Sequence, residues 1–98
     1  MPRRKVHVLD GSEQMTYELN ADIIAMIEHD FPVDQQATAI QWVASECNRS
    51  LPLCENASDS EIRRIQAAVV NLSKGDISKL RYWIDVAKKD WRDVLIGN

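Results

Sequence analysis

The stretch Ser58–Ile96, SDSEIRRIQAAVVNLSKGDISKLRYWIDVAKKDWRDVLI, decides how the rest of the chain must fold. Ser58, Asp59 and Ser60 are all competent helix N-caps, because their side-chain oxygens accept from the free amides of a first helical turn. Ser58 and Glu61 stand at capping-box spacing. Apolar residues follow at Ile62, Ile65, Ala68, Val69 and Leu72, a helical period with one buried face. Arg63, Arg64, Gln66 and Asn71 fall on the other faces. Gly75 ends this helix in a left-handed turn, and Asp76 caps the next one. The second helix sets Ile77, Leu80, Trp83, Ile84 and Ala87 on one face, with Lys79, Arg81, Asp85, Lys88 and Lys89 around the rest. Asp90 and Asp93 read as a further cap and acidic first turn of a short final helix, to which Trp91, Val94, Leu95 and Ile96 supply apolar surface. The short link at Gly75 makes the two main helices an antiparallel hairpin.

Within this stretch, Leu72, Ser73, Gly75, Asp76, Lys79 and Leu80 spell L-S-x-G-D-x-x-K-L. Ala87, Lys88, Asp90, Trp91, Arg92, Asp93, Val94 and Leu95 spell A-K-x-D-[WY]-R-D-V-L. The pair resembles the C-terminal part of a group of small uncharacterised bacterial helical proteins. The likeness covers about a quarter of the chain and weakens around Phe31 and Pro32. It implies a bacterial helical domain and brings no functional residues with it.

A chain of 98 residues, 45% of them hydrophobic, has room for one domain with one core, spanning residues 1–98. The formal net charge of −3 argues against a dedicated nucleic-acid binder. The charge is unevenly placed. Met1–Glu61 carries 4 basic and 11 acidic residues, a net of −7, and Ile62–Asn98 carries 8 basic and 4 acidic residues, a net of +4. Two halves of opposite sign are expected to pack together and partly neutralise; the competing reading is a dipolar surface that steers partners. No apolar run is long enough to cross a membrane, and no apolar segment follows Arg3, Arg4 and Lys5 to make a secretory signal. The expected location is the cytoplasm.

Met1–Lys5 reads as a mobile tail. Residues 6–19 have two readings. Alternation of Val6 and Val8 with Arg4 and His7, and of Met15, Tyr17 and Leu19 with Thr16 and Glu18, fits a small β-hairpin with its loop near Asp10–Gln14. The alternative is an irregular arm. Residues 20–96 form the helical core. Asn20 is expected to cap a helix that carries Ile23, Ile24, Ile27 and Phe31 and stops at Pro32. Asp34 is expected to cap a second helix, with Ala37, Ile40, Val43, Ala44 and Cys47 inward and Trp42 at the edge of the core. Arg49–Ala57 reads as a loop over Leu51 and Leu53.

Sites for chemistry are sparse. Cys47 and Cys54 stand too far apart for the usual zinc pair, and only His7 and His29 remain to complete four ligands. No metal and no cofactor is expected. Cys47 reads as a core residue and Cys54 as a loop thiol. His29 lies near a helix C-terminus, where the dipole favours its charged form. Asp90, Arg92 and Asp93 read as a cap plus a salt bridge from the final helix to its neighbour. A DNA-binding helix–turn–helix around Gly75 meets three objections. Asn71 stands where a small residue is wanted, Arg81 where an apolar one is wanted, and Asp76 faces phosphate.

The expected fold is mainly α: a compact bundle of two helical hairpins plus a short C-terminal helix, with a small N-terminal β-hairpin as one reading of the arm. The expected function is a small cytoplasmic protein–protein interaction module without catalytic activity, binding an unidentified protein or itself. Arg81, Tyr82, Lys88 and Arg92 are the expected contact residues, with Tyr82 as the exposed anchor. Two alternatives stand beside it: a weak nucleic-acid-associated regulator using the basic C-terminal helices, and a small enzyme of undetected type.

Overall fold

Alternation in the N-terminal arm is the period of a strand, and the chain adopts it. A computed structural model of the protein describes residues 3–10 and 13–97. Strands β1 (Arg3–Asp10) and β2 (Glu13–Asn20) pair antiparallel in a two-stranded sheet. Pairing runs from Arg3↔Asn20 to Asp10↔Glu13, so Asp10, Glu13 and Gln14, expected in the loop, belong to the strands. Gly11 and Ser12, at the expected turn, lie outside the described residues, as do Met1, Pro2 and Asn98. The mobile tail expected over Met1–Lys5 is also corrected, because Arg3, Arg4 and Lys5 belong to β1. Arg3 is held there by Glu18, whose carboxylate lies 2.8 Å from Nε.

Four helices follow: α1 (Ala21–Asp30), α2 (Val33–Glu46), α3 (Asp59–Ser73) and α4 (Ile77–Gly97). They form two hairpins. One turns at Phe31–Pro32 and the other at Lys74–Asp76. Helix α1 packs on α3, α2 packs on α4, and both α1 and α2 hold the β-hairpin. A lone hairpin is marginal in water, and here Leu19 anchors it by entering the core. That core joins Ile23, Ile24 and Ile27 of α1 to Ile40 and Val43 of α2, Ile65 and Val69 of α3, and Leu80 and Ile84 of α4.

The caps depart from expectation in the first hairpin; in the second the N-caps follow it, while Lys74 (φ 51°), one residue before Gly75, takes the C-cap of α3. Asn20 sits at the N-cap of α1 without a side-chain bond to the helix. Asp22 instead accepts from the Ile23 amide at 3.0 Å and pairs with Arg63 of α3. Helix α2 begins directly after Pro32, so Asp34 is not its cap and lies in its first turn. In α3, Ser58 Oγ accepts from the Glu61 amide at 3.2 Å. Asp76 Oδ1 accepts from the amides of Ser78 and Lys79 at 2.9 and 3.2 Å. Asp90 interrupts α4 with extended backbone (φ −158°, ψ 104°), and its Oδ1 accepts from the Arg92 amide at 3.0 Å. A short final helix thus follows its own cap.

Three side chains lie where their type did not suggest. Gln66 is buried, not solvent-facing, because its Nε2 donates to the Cys47 carbonyl at 2.7 Å and satisfies the end of α2. Ala39 takes the inward position expected of Ala37, which is exposed. Leu51 plugs the loop as expected, but Leu53 is exposed, in left-handed backbone with φ 64°.

Candidate interaction surface

Helix α4 is amphipathic, so its inward stripe leaves two outward faces; Arg81 and Lys88 fall on one, Tyr82 on the other, and Arg92 lies in the cap at Asp90. The first outward face carries Arg81, Asp85 and Lys88. Arg81 reaches across to α2, donating from both terminal nitrogens to the Glu46 carboxylate at 2.8 and 2.7 Å. The same guanidinium donates to Asp85 at 2.8 Å and lies 5.0 Å from the centre of the Trp42 ring. Lys88 adds a bond to Glu46 at 3.1 Å. Planar guanidinium suits both the two-pronged carboxylate contact and the aromatic face. The bonds from Arg81 and then Lys88 outweigh partial burial and lower the Glu46 carboxyl to about 2. Arg81 is raised further above its usual range, chiefly by Glu46.

These contacts settle where the opposite charges of the two halves meet. Glu46 with Arg81 and Lys88, and Asp22 with Arg63, join the acidic first half to the basic second half. Two cations expected at a contact surface are therefore committed to an internal carboxylate. Arg92 is committed too. Its Nε and one terminal nitrogen bond Asp90 at 2.9 and 2.8 Å, so this bridge stays inside the cap and does not reach a neighbouring helix. The final turn is tied down differently: Trp91 Nε1 donates to the Pro52 carbonyl at 3.0 Å, and Val94 is fully buried.

The second outward face is apolar. Tyr82 is 60% exposed and Ile96 is 83% exposed. With Trp83, Val86, Lys89 and Asp93 they line a shallow groove of about 450 Å³. The ring of Tyr82 stands edge-on to Trp83, with centroids 5.1 Å apart and planes at 84°. Such an edge-to-face contact favours this ring orientation. Tyr82 was expected on this face; Ile96 was expected only as apolar surface of the final short helix, and here it is exposed beside Tyr82. No continuous helical period could have found this grouping, because the backbone break at Asp90 separates Lys89 from Asp93 and Ile96.

No protein-family model, curated protein or solved structure matches this chain.

The other candidate residues are placed as follows. Cys47 and Cys54 are free and buried. Burial, and then the nearby charge of Glu46, pushes the Cys47 thiol up to about 12, so almost none of it is thiolate at neutral pH. Burial also raises Cys54, with Glu61 and Glu55 adding to it. His29 is exposed in the last turn of α1, with Nδ1 2.8 Å from Asp30 Oδ1. His7 lies in β1. Among the described residues, no group of three or more His, Cys, Asp or Glu stands close enough to hold a metal ion. None of their helices is long and apolar enough to cross a membrane.

Proposed function

We propose that this chain is a non-catalytic protein-interaction module that docks its partner through the outer face of α4, with Tyr82 as the anchor. One observation carries the reading: two large apolar side chains, Tyr82 and Ile96, stand exposed in a single groove. Large apolar residues clustered in this way are the usual mark of a contact surface, and tyrosine is enriched among the residues that dominate binding energy. The edge-on packing of the ring against Trp83 supports its use as an anchor, because it favours one ring orientation. Relative to the surface expected from sequence, the centre moves away from Arg81, Lys88 and Arg92, whose charges are already met. The setting we assign is the cytoplasm of a bacterium. Free buried thiols suit a reducing compartment, and the Leu72–Leu95 segment resembles small bacterial proteins.

The test is capture of a partner by the tagged chain from a nuclease-treated bacterial extract, repeated with Tyr82→Ala. Loss of a hot-spot tyrosine is expected to weaken binding about tenfold or more. The helical circular dichroism of the variant is expected to match the parent, because the ring is largely outside the core. Full retention of binding by Tyr82→Ala refutes the assignment of this face.

A further inference from the structure

We propose that residues 91–97 form a latch that opens ahead of the four-helix core and admits thiol reagents to Cys54, while Cys47 stays closed. This latch stands independently of the docking face proposed above. Cys54 is only 1% exposed, yet it lies in the wall of a surface cavity of about 320 Å³. Ala57 and Ile65 continue that wall, and Trp91 and Leu95 of the last helical turns line the same cavity. On that side the thiol is covered by the short helix beyond Asp90 rather than by the body of the core. Cys47 is enclosed differently. It is fully buried at the end of α2, and Gln66 of α3 is bonded to its carbonyl, so reaching it requires the helices themselves to part.

The loop that carries Cys54 is fastened without help from the latch. The Cys54 amide donates to the Leu51 carbonyl and the Ala57 amide to the Cys54 carbonyl, both at 3.1 Å. Arg49 ties the end of the loop to α3, donating to the Ala57 carbonyl at 2.9 Å and to Asp59 at 2.6 Å. The latch has fewer ties. Helical backbone is interrupted at Asp90, and the Arg92 side chain bonds Asp90 within the hinge. Among the described residues, Trp91 Nε1 on the Pro52 carbonyl is the one side-chain hydrogen bond from residues 91–97 to anything outside α4. Val94 is the one buried side chain described in the segment. So short a helix depends on its tertiary contacts, and segments with few of them open at lower free energy than the core. Burial raises both thiols above their ordinary range, so neither reacts appreciably while it is covered.

The experiment is labelling of the full chain with iodoacetamide. The thiolate sulfur displaces iodide, an S–C bond forming as the C–I bond breaks, and the thiol proton passes to the buffer. Proteolysis and mass spectrometry read each cysteine separately, and each rate is referred to the rate of the same cysteine in the urea-unfolded chain. Cys54 is expected to label at least about tenfold faster than Cys47. Its rate is expected to stay flat in low urea, where that of Cys47 climbs with global unfolding. Trp91→Phe keeps an aromatic ring but removes the N–H that holds the Pro52 carbonyl. It is expected to speed Cys54 about two- to tenfold and to leave Cys47 unchanged. Cys47 in the same sample reports global opening, so a variant that is merely unstable raises both rates together. Equal protection of the two cysteines in the parent overturns the proposal. So does a Trp91→Phe variant in which Cys54 is unchanged or rises only in step with Cys47.

Discussion

Gly75→Ala is the sharpest test of how the two helical hairpins are joined. Gly75 has φ +77°, and a Cβ built there sits well inside contact with the carbonyl oxygen of Asp30 and 3.1 Å from its carbon. Two costs follow. A side chain in left-handed backbone costs roughly 1–2 kcal/mol. The clash is with main chain at the end of α1, so no flexible side chain can give way. Either the turn or the end of α1 must retreat by about 1 Å to restore ordinary contact, and overpacking of this kind costs about 1–3 kcal/mol. The sum, about 2–5 kcal/mol, is a large part of the 5–15 kcal/mol typical of a whole domain. For a chain of this size it lowers the melting temperature by roughly 10–30 °C. Thermal unfolding followed by circular dichroism measures it directly. The neighbouring Lys74→Gly is the control: Lys74 also has positive φ, at 51°, so glycine there is expected to leave stability unchanged or raise it by under about 1 kcal/mol. A Gly75→Ala variant that melts within about 5 °C of the parent refutes both the turn geometry and the close approach to Asp30.

Three further expectations follow from the same contacts. Glu46 has its carboxyl lowered from 4.5 to about 2, so the unfolded chain binds the proton more readily. The stabilisation is full above 4.5 and is lost as pH falls through 2; Glu46→Gln should cost about 1–2 kcal/mol at pH 7, after discounting for solvent screening, and flatten that acid limb. An acid-unfolding profile that Glu46→Gln leaves unchanged contradicts the network. Gln66→Leu strands the Cys47 carbonyl in the core and should lower stability by about 1–2 kcal/mol in urea titration; no loss would mean that this carbonyl finds another donor. Because Arg81 and Lys88 are held by Glu46, the parent is expected not to retard DNA or RNA in gels at low salt. A retarded band abolished by Arg81→Glu with Lys88→Glu would revive the nucleic-acid reading.

The helix ends of the second half were legible because they depend on local chemistry. Ser58, Asp76 and Asp90 each act within four residues of themselves. The first half was less legible because tertiary contacts override its local signals. Asp22 is drawn to Arg63 of α3, and Pro32 starts α2 before Asp34 can cap it. Gln66 sits one helical turn from Ile62, so the period did point inward; only its polar type pointed out. Its burial depends on a carbonyl from another helix, which no local pattern encodes. The candidate surface shows the same division. Tyr82 was legible from its place beside Trp83. The commitment of Arg81 and Lys88 to Glu46 was legible only as opposite net charges on two halves, without the residues that would meet.

The break at Asp90 has a consequence for how the chain breathes. Helical hydrogen bonds propagate cooperatively only along an unbroken ladder. Beyond Asp90 the last seven residues of α4 start a ladder of their own, too short to persist alone. Their protection from amide exchange is therefore set by two distant clasps, the Trp91 indole on the Pro52 carbonyl and Val94 in the core. The far end of the groove, at Ile96, is therefore expected to exchange its amides together with those clasps and faster than the Tyr82 end of α4, which hydrogen–deuterium exchange would show.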